Sequence, residues 1–216
     1  MSLAAELQAV TESVRKQVPA DFFSTMAKAS TKLAASGLVS SALQQGGRMP
    51  DFELPDATGK IVKSTDLRKR GLLLVSFYRG GWCPYCNLEL KALQERYNEI
   101  SAAGVTLVAI SPEIPDFSLS TQQKNNLQFP VLSDQGNKVA RQFGLVFTLD
   151  ASLLPIYQAF GVDIKAHNGD ASFELPIPAT YLVAKDGSVL EAFVNTDYRT
   201  RLEPEIALAW IRQAGR

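Results

Sequence analysis

Hydrophobic positions along the chain change their spacing near residue 48, which divides the sequence into two parts. Before it, apolar residues recur every three or four positions, which predicts two helices over residues 3–17 and 19–35. After it, short apolar runs alternate with amphipathic stretches, a pattern typical of βαβ units and a mainly parallel sheet. We therefore predict an α/β protein with an N-terminal helical extension at residues 1–47 and one domain at residues 48–216.

Within the domain, the pattern predicts an ordered series of strands and helices. These are a hairpin over 50–62, a strand over 72–78, a helix over 84–103, a strand over 105–111, a helix over 119–126, a strand over 129–134, a helix over 138–143, a hairpin over 180–194 and a helix over 203–213. Residues 145–177 lack a clear period, so we predict irregular chain there, with one helix at 155–160.

The most informative stretch joins the predicted central strand to the longest predicted helix. The strand ends before Gly80-Gly81, a pair that marks a turn. Pro84 suits the first helical position, where its missing N–H costs nothing. This spacing places Cys83 at the N-cap of the helix and Cys86 one turn later.

Composition excludes several classes of function. Lys and Arg together number 22, as do Asp and Glu, and the resulting net charge of zero argues against a nucleic-acid partner. No apolar run approaches the roughly 18–20 residues of a membrane span. The N-terminal residues also lack the apolar centre of a signal peptide. We therefore expect a soluble cytoplasmic protein with no membrane contact.

Both cysteines of the chain belong to one Cys-x-x-Cys pair. In the reducing cytoplasm such a pair is typical of a catalytic or metal-binding site rather than of a structural disulfide. Structural zinc takes about four ligands, whereas the chain adds only one histidine, His167, to its two cysteines. His167 lies in a polar stretch, where we expect it to be solvated and without a partner. We predict thiol redox chemistry with no metal and no cofactor.

Helix geometry defines what the two sulfurs can do. Residues three apart share a helix face, so the two Cα atoms lie about 5–5.5 Å apart, within the range that a disulfide requires. An apolar stripe through Leu90 and Leu93 predicts that Cys86 faces the core and that Cys83 is nearer to solvent. The N–H groups and positive dipole of the helix start favour thiolate. One sulfur then attacks a substrate, and the other resolves the adduct as an internal disulfide.

The residues around the pair resemble known families. Trp82 before the first cysteine is similar to thioredoxins, and Cys-Pro-Tyr-Cys is the glutaredoxin tetrapeptide. The segments 49–54 and 75–79 are similar to peroxiredoxins. Over residues 48–213 the chain resembles the peroxiredoxin-like branch of the thioredoxin superfamily, the alkyl hydroperoxide reductase and thiol-specific antioxidant group. The resemblance implies a thioredoxin-like fold, with a central mixed β-sheet flanked by helices.

The same resemblance implies an oxidoreductase activity. Peroxiredoxins reduce hydrogen peroxide or organic hydroperoxides, and an internal Cys83–Cys86 disulfide would be recycled by thioredoxin or a glutathione-type thiol. The alternative enzyme is a thiol–disulfide oxidoreductase that acts on protein disulfides. A third hypothesis is a redox-switched interaction module, in which residues 1–47 bind a partner. Otherwise we expect this extension to be a helical cover or a homodimer surface.

Two departures from the peroxiredoxin pattern leave the order of attack open. Arg79 stands where peroxiredoxins have a proline, Cys83 where they have a threonine, and Cys86 where they have the peroxidatic cysteine. Pro178 replaces an arginine that precedes a later strand, and it resembles the cis-proline that packs against the cysteine pair of thioredoxins. Helix position favours Cys83 as the attacking sulfur, whereas alignment favours Cys86.

Other side chains are candidates for support of the pair. A leaving peroxide oxygen needs a cationic or hydrogen-bonding partner, and Arg79 is the first candidate. Arg199 and Arg201 are further candidates, although we expect both to be solvated at the surface. Tyr85, between the cysteines, is either a docking floor or a surface aromatic. The predicted site has no catalytic carboxylate and comprises Cys83 and Cys86 with support from Arg79, Trp82, Pro84, Tyr85 and Pro178.

Overall fold

The computed structural model describes residues 1–215. The helices are α1 (Leu3–Gln17), α2 (Ala20–Ala34), α3 (Leu38–Ser41), α4 (Ser64–Arg70), α5 (Pro84–Glu95), α6 (Tyr97–Ala102), α7 (Pro115–Lys124), α8 (Lys138–Gln142), α9 (Leu154–Ala159), α10 (Ile164–Asn168) and α11 (Pro204–Ala214). The strands are β1 (Glu53–Pro55), β2 (Ile61–Lys63), β3 (Leu72–Phe77), β4 (Val105–Ser111), β5 (Val131–Ser133), β6 (Val146–Thr148), β7 (Glu174–Pro176), β8 (Ala179–Val183) and β9 (Val189–Val194).

A five-stranded mixed sheet in the order β5-β4-β3-β8-β9 forms the centre of the molecule. β3 pairs in parallel with β4 and antiparallel with β8, so the strand that leads to the cysteines is the middle one. β4 and β5 are parallel, and β8 and β9 are antiparallel. The predicted α/β class with a central mixed sheet flanked by helices is confirmed.

Each face of the sheet carries its own core, because successive side chains of a strand point to opposite faces. Leu74 of β3 packs with Cys86, Leu90 and Ile100 in the core under α5 and α6. The neighbouring β3 residues pack on the other face, in a cluster that includes Leu73, Val75, Phe77, Phe143 and Tyr181. The apolar run of β3 is therefore continuous since both of its faces are covered.

The first two helices form as predicted and pack against the rest of the chain. Leu3 and Leu7 of α1 are buried in the same core as the cysteines. The N–H groups of Leu3 and Ala4 donate to the Glu203 carboxylate at 3.2 and 2.7 Å, which anchors the start of α1 beside α11. The division of the chain at residue 47 stays a prediction.

Two predicted regions differ from the structure. The helix predicted over 84–103 is divided into α5 and α6 at Arg96, whose φ of −100° and ψ of 3° leave the helical range. Residues 145–177 contain an antiparallel β6–β7 pair, a 3-10 turn, α9 and α10 rather than one helix in irregular chain. Strands of three residues are too short to produce a period of their own.

None of the helices in residues 1–215 combines the length and the apolar character that crossing a bilayer requires.

Candidate active site

The turn between β3 and α5 depends on its two glycines. Gly80 has a φ of +150°, a conformation that side chains rarely adopt, and a Cβ on Gly81 would overlap the Thr121 hydroxyl. The N–H of Cys83 donates to the Gly80 carbonyl at 3.1 Å. The turn is therefore compact, and it delivers Cys83 directly to the N-cap of α5.

The buried carboxylate of Glu113 accepts a hydrogen bond from this turn. The Gly81 N–H donates to Glu113 Oε2 at 2.9 Å, and the other carboxylate oxygen lies 2.7 Å from His167 Nδ1. Glu113 is fully buried, and the His167 ring packs on Phe117 with centroids 3.9 Å apart. The expectation of a solvated His167 without a partner is wrong, because α10 brings it to the end of β4.

Both cysteines are free and buried, with relative exposures of 1% for Cys83 and 0% for Cys86. The prediction that Cys86 faces the core is confirmed, whereas the prediction that Cys83 is nearer to solvent is wrong. Cys83 belongs to the same buried core as Tyr85 and Leu7, since α1 packs over the beginning of α5. The hydroxyl of Thr11 lies 3.2 Å from that of Tyr85, so the N-terminal helix packs beside this helix start.

The pair holds its negative charge on Cys83. Burial acts to raise the pKa of Cys83, but the hydrogen bond from Cys86 and the charges of Arg79 and Arg201 outweigh it and lower this pKa to about 6. The pKa of Cys86 is raised above its usual value by burial and by its hydrogen bond to Cys83. Near neutral pH the pair is therefore a thiolate beside a thiol.

Arg201 is one of two buried guanidinium groups beside the sulfurs. Its Nη2 donates to Cys86 Sγ at 3.3 Å, and its Nε donates to Glu89 Oε2 at 2.7 Å. The Arg201 and Glu89 side chains are 0% and 2% exposed. The expectation that Arg201 is a solvated surface arginine is wrong, because the carboxylate and the carbonyls of Tyr198 and Thr200 replace its water.

Arg79 is the second buried guanidinium, and its surroundings are aromatic. It lies 4.9 Å from the ring centre of Trp82 and 4.4 Å from that of Tyr198, and it donates to the Tyr157 hydroxyl. Of the nearby charges, Arg79 lowers the pKa of Cys83 most. Arg79 thus stabilises the thiolate, while its predicted role as the partner of a leaving peroxide oxygen stays a prediction.

The AhpC/TSA family profile matches residues 45–192. The chain belongs to this family. It is 26% identical to peroxiredoxin Bcp of Escherichia coli K12 over 171 residues, which are 79% of this chain and 97% of that protein. It is 25% identical to the thiol-disulfide oxidoreductase ResA of Bacillus anthracis over 162 residues, 74% of this chain and 76% of that protein.

Solved structures show the same fold. Peroxidoxin BcpB from Mycobacterium tuberculosis superposes with a TM-score of 0.63 at 23% identity, covering 79% of this chain and 97% of that one. A reduced 2-Cys peroxiredoxin from Plasmodium vivax gives a TM-score of 0.61 at 16% identity, covering 79% and 81%. Together with the family match and the likeness to Bcp, this fold makes the chain a peroxiredoxin-like member of the thioredoxin superfamily and an oxidoreductase.

Pro178 does not adopt the conformation that its resemblance to thioredoxins implies. Residues 1–215 contain no cis peptide bond, so the Ile177–Pro178 bond is trans. The chain runs directly from β7 into β8 here, and the Ile177 N–H bonds to the Leu145 carbonyl at 2.9 Å. A trans bond lets the extended backbone continue from β7 into β8. The expectation of a cis-proline is therefore wrong, although Pro178 is buried next to Ala179, where β8 starts.

Tyr85 is neither a docking floor nor a surface aromatic. It is 5% exposed, its hydroxyl lies 3.2 Å from the Thr11 hydroxyl of α1, and its ring packs edge-on against Tyr198 at 5.4 Å. Pro84 is the exposed residue of the tetrapeptide and begins α5. Trp82 is half-buried and packs against Tyr157 at 5.4 Å.

Four residues of the site were not predicted from the sequence: Glu89, Glu113, Tyr157 and Tyr198. Of these, Glu89 had a signal in the sequence. Glu89 follows Cys86 by three positions, so both lie on one face of the helix. A charged residue next to Leu90 of the apolar stripe was the signal that could have identified it. Burial raises the pKa of Glu89 to about 7 although Arg201 opposes the rise. No group of three or more His, Cys, Asp and Glu side chains in the described part of the chain is arranged to bind a metal.

Proposed function

We propose that this AhpC/TSA protein is a thiol peroxidase that reduces hydrogen peroxide or organic hydroperoxides through an internal Cys83–Cys86 disulfide. The observation that carries the proposal is the pair of buried guanidinium groups, Arg79 and Arg201, beside a buried dithiol. A dithiol that only exchanges disulfides needs one stabilised thiolate, whereas peroxide reduction also needs a cation for the leaving oxygen. Arg79 is available for that second task.

The proposed reaction begins with the Cys83 thiolate, the sulfur with the lowered pKa. It attacks one peroxide oxygen, the O–O bond breaks, and the second oxygen leaves as an alkoxide or hydroxide that takes up a proton. The sulfur is oxidised to sulfenic acid while the peroxide is reduced to an alcohol or water. The Cys86 thiol then displaces hydroxide from Cys83, which forms the disulfide and releases water.

A dithiol of the thioredoxin type, or two glutathione-type thiols, would then reduce the disulfide and restore the pair. We keep the cytoplasm as the proposed compartment, because such thiols are maintained there. Since both sulfurs are buried, the reductant requires that the oxidised turn open or that an element packed against it move.

Single-turnover mixing with hydrogen peroxide tests the proposal and the order of attack together. We expect reduced Cys86→Ser to react much faster than a free thiol and to accumulate a sulfenic acid on Cys83, detected by dimedone labelling and mass spectrometry. Cys83→Ser should react no faster than a free thiol. The reverse pattern would make Cys86 the attacking sulfur, and slow reaction of the wild type would remove the peroxidase.

A second candidate is a thiol–disulfide oxidoreductase that acts on protein disulfides. The likeness to ResA and the Cys-x-x-Cys pair at the N-cap of α5 favour it. Insulin reduction in the presence of dithiothreitol is the test, and catalysis there together with slow peroxide reduction would replace the leading proposal. Homodimerisation and a redox-switched interaction remain predictions. A comparison of molecular mass between the reduced and oxidised protein checks both.

A further inference from the structure

A cavity of about 730 Å³ lies between the N-terminal helices and the β6–β7 pair. One wall comes from α2 and α3, and the opposite wall comes from β6 and the 3-10 turn that follows it. Its surface is mainly apolar, with side chains that include Leu33, Leu38, Phe147, Leu149, Leu153 and Ile177. A cavity of this size falls in the range of small-molecule sites, which is about 300–1,000 Å³.

Neither sulfur belongs to the lining of this cavity. A molecule held there is separated from the reacting cysteines, so the cavity suits a ligand that the enzyme does not convert. The residue that connects the cavity with the cysteine pair is Arg79, which lines the cavity and also lowers the pKa of Cys83. A ligand in the cavity can therefore act on the thiolate through Arg79 without contacting it.

The charge of Arg79 decides which chemical class of ligand fits. Arg79 is 3% exposed, and among the residues that the structure describes it forms no salt bridge and its Nε lacks a hydrogen-bond partner. Its neighbours in the lining are Tyr157 and Tyr198, and burial raises the pKa of both hydroxyls, so they are neutral at pH 8. This inner end of the cavity thus offers one buried cation, and a carboxylate supplies the counter-charge that it lacks.

We propose that this cavity binds an apolar monocarboxylate, such as a medium-chain fatty acid, with its carboxylate at Arg79 and its hydrocarbon chain along the apolar walls. Hydrocarbon surface that leaves water stabilises the complex, and the charge-assisted hydrogen bond sets the orientation. The outer end offers no equivalent partner, because Lys32 is 79% exposed and already pairs with Asp150 at 3.0 Å. The inference goes beyond the proposed peroxidase, and binding measurements alone test it.

The ligand and the Cys83 thiolate compete for the same cation. Two negative charges beside one guanidinium repel each other, so a bound carboxylate favours the neutral thiol, and the thiolate in turn weakens ligand binding. The other titratable or charged groups that act on Arg79 or Cys83 are Cys86, Tyr85, Tyr157, Tyr198 and Arg201. Each of these has a raised pKa and keeps its charge state near neutral pH. Occupancy of the cavity should therefore raise the pKa of Cys83.

Calorimetric titration with octanoate and 1-octanol at pH 8 tests the position of the carboxylate. In Cys83→Ser/Cys86→Ser, which has no sulfur that can ionise, octanoate should bind about tenfold more tightly than octanol. Addition of Arg79→Met should remove this preference, whereas addition of Lys32→Ala should retain it. Equal binding of the two ligands in the double serine variant, or loss of the preference with Lys32→Ala, would overturn the assignment.

Cavity-filling variants test the position of the hydrocarbon chain. Ala29→Phe on the α2 wall and Thr148→Trp on the β6 wall should each weaken the binding of both ligands by about tenfold or more. Ala34→Phe, an exposed substitution on α2 outside the cavity lining, is the matched control and should leave both affinities unchanged. Using two walls keeps the test valid if one variant fails to fold. Unchanged affinities in the filled variants would show that the ligands bind elsewhere.

The competition with the thiolate gives a separate readout. Reduced wild type should bind octanoate several-fold less tightly than the double serine variant, while octanol should bind both equally. By reciprocity, saturating octanoate should move the pH midpoint of Cys83 alkylation by iodoacetamide upward, and octanol should not. A midpoint that octanoate leaves in place would overturn the coupling. These measurements involve no peroxide, so slow peroxide reduction would remove the proposed peroxidase and leave the ligand site standing.

Discussion

The two sides of the cysteine pair carry the same charged group in opposite surroundings. On the Cys86 side, Arg201 is neutralised by the buried carboxylate of Glu89 and by backbone carbonyls. On the Cys83 side, Arg79 is surrounded by the rings of Trp82 and Tyr198 and by the Tyr157 hydroxyl. No carboxylate within residues 1–215 forms a salt bridge with it.

Arg201 is therefore mainly structural, whereas the positive charge of Arg79 is available to a sulfur or a substrate. A guanidinium that is paired with a carboxylate has little net field left for a sulfur, whereas aromatic faces attract a cation without cancelling its charge. The thiolate lies on Cys83, whose pKa is lowered most by the hydrogen bond from Cys86, and by Arg79 more than by Arg201. Replacing each arginine by methionine, which keeps much of the side-chain volume, should therefore give different kinds of loss.

The largest effect on stability should come from Arg201→Met. It leaves the buried Glu89 carboxylate without its partner, and loss of one member of a buried ion pair costs about 3–5 kcal/mol. Urea unfolding at pH 8 measures the loss, because Glu89, whose pKa beside Arg201 is about 7, is then mostly charged in the wild type. In the variant the pKa of Glu89 rises further, so the buried carboxyl must either stay charged without a partner or take up a proton. Arg79→Met strands no carboxylate, so its cost should be clearly smaller.

The double variant Glu89→Gln/Arg201→Met is the control for this comparison. Because it removes the stranded charge, it should recover at least half of the stability that Arg201→Met loses. If the double variant were as unstable as the single one, the loss would come from packing, and the contrast between the two arginines would fail.

The next effect concerns the carboxylate that supports the glycine turn. Glu113→Leu removes the acceptor of the Gly81 N–H and the partner of His167, and an unsatisfied polar group costs about 1–3 kcal/mol. Glu113→Gln retains an acceptor oxygen and a donor of the same shape, so it should stay near the wild type. Equal unfolding midpoints for the two variants would show that the carboxylate does not hold the turn.

Replacement of Arg79 by methionine should raise the pKa of Cys83. In the wild type the Cys83 thiolate is present above its pKa of about 6 and is lost as the pH falls through that value. Removal of an adjacent cation raises such a pKa, and we expect about one unit for Arg79→Met, equal to about 1.4 kcal/mol. The pH profile of alkylation by iodoacetamide measures the midpoint, which should move upward.

The same pH profile also tests the contribution of Arg201 to the pKa of Cys83. The Glu89→Gln/Arg201→Met variant keeps Arg79 and should move the midpoint less than Arg79→Met does. A larger shift in the double variant would identify Arg201 as the main cation of the thiolate and would favour Cys86 as the attacking sulfur.

The sequence predicts the fold and the cysteine pair well because both depend on local patterns. The β3–turn–α5 junction follows from a short apolar run, two glycines and Pro84. Arg201 and Glu89 lie 112 residues apart, and their pairing depends on how α11 and β9 return to α5. A single sequence contains no period that reports such a long-range contact.

The burial of Cys83 was not predicted for the same reason, since it also depends on long-range contacts. Helical position alone indicates an exposed N-cap, whereas Cys83 lies in a core that also contains Leu3 and Leu7 of α1 and residues of α11. The trans bond before Pro178 likewise follows from strand connections rather than from neighbouring residues. Resemblance supplied the family, while the structure supplied the burial and the charges that distinguish the two sulfurs.

The smallest effect should come from Arg199, which serves as a control for both buried arginines. It lies two residues before Arg201, is 36% exposed, and pairs with the equally accessible Asp197 at 2.8 Å. Such solvated pairs contribute about 0.2–1 kcal/mol, and their charge is screened from a buried sulfur. Arg199→Ala should therefore leave the Cys83 midpoint unchanged and lower stability by less than about 1 kcal/mol. A shift of the midpoint as large as that of Arg79→Met would mean that any nearby positive charge suffices, and the contrast between Arg79 and Arg201 would lose its significance.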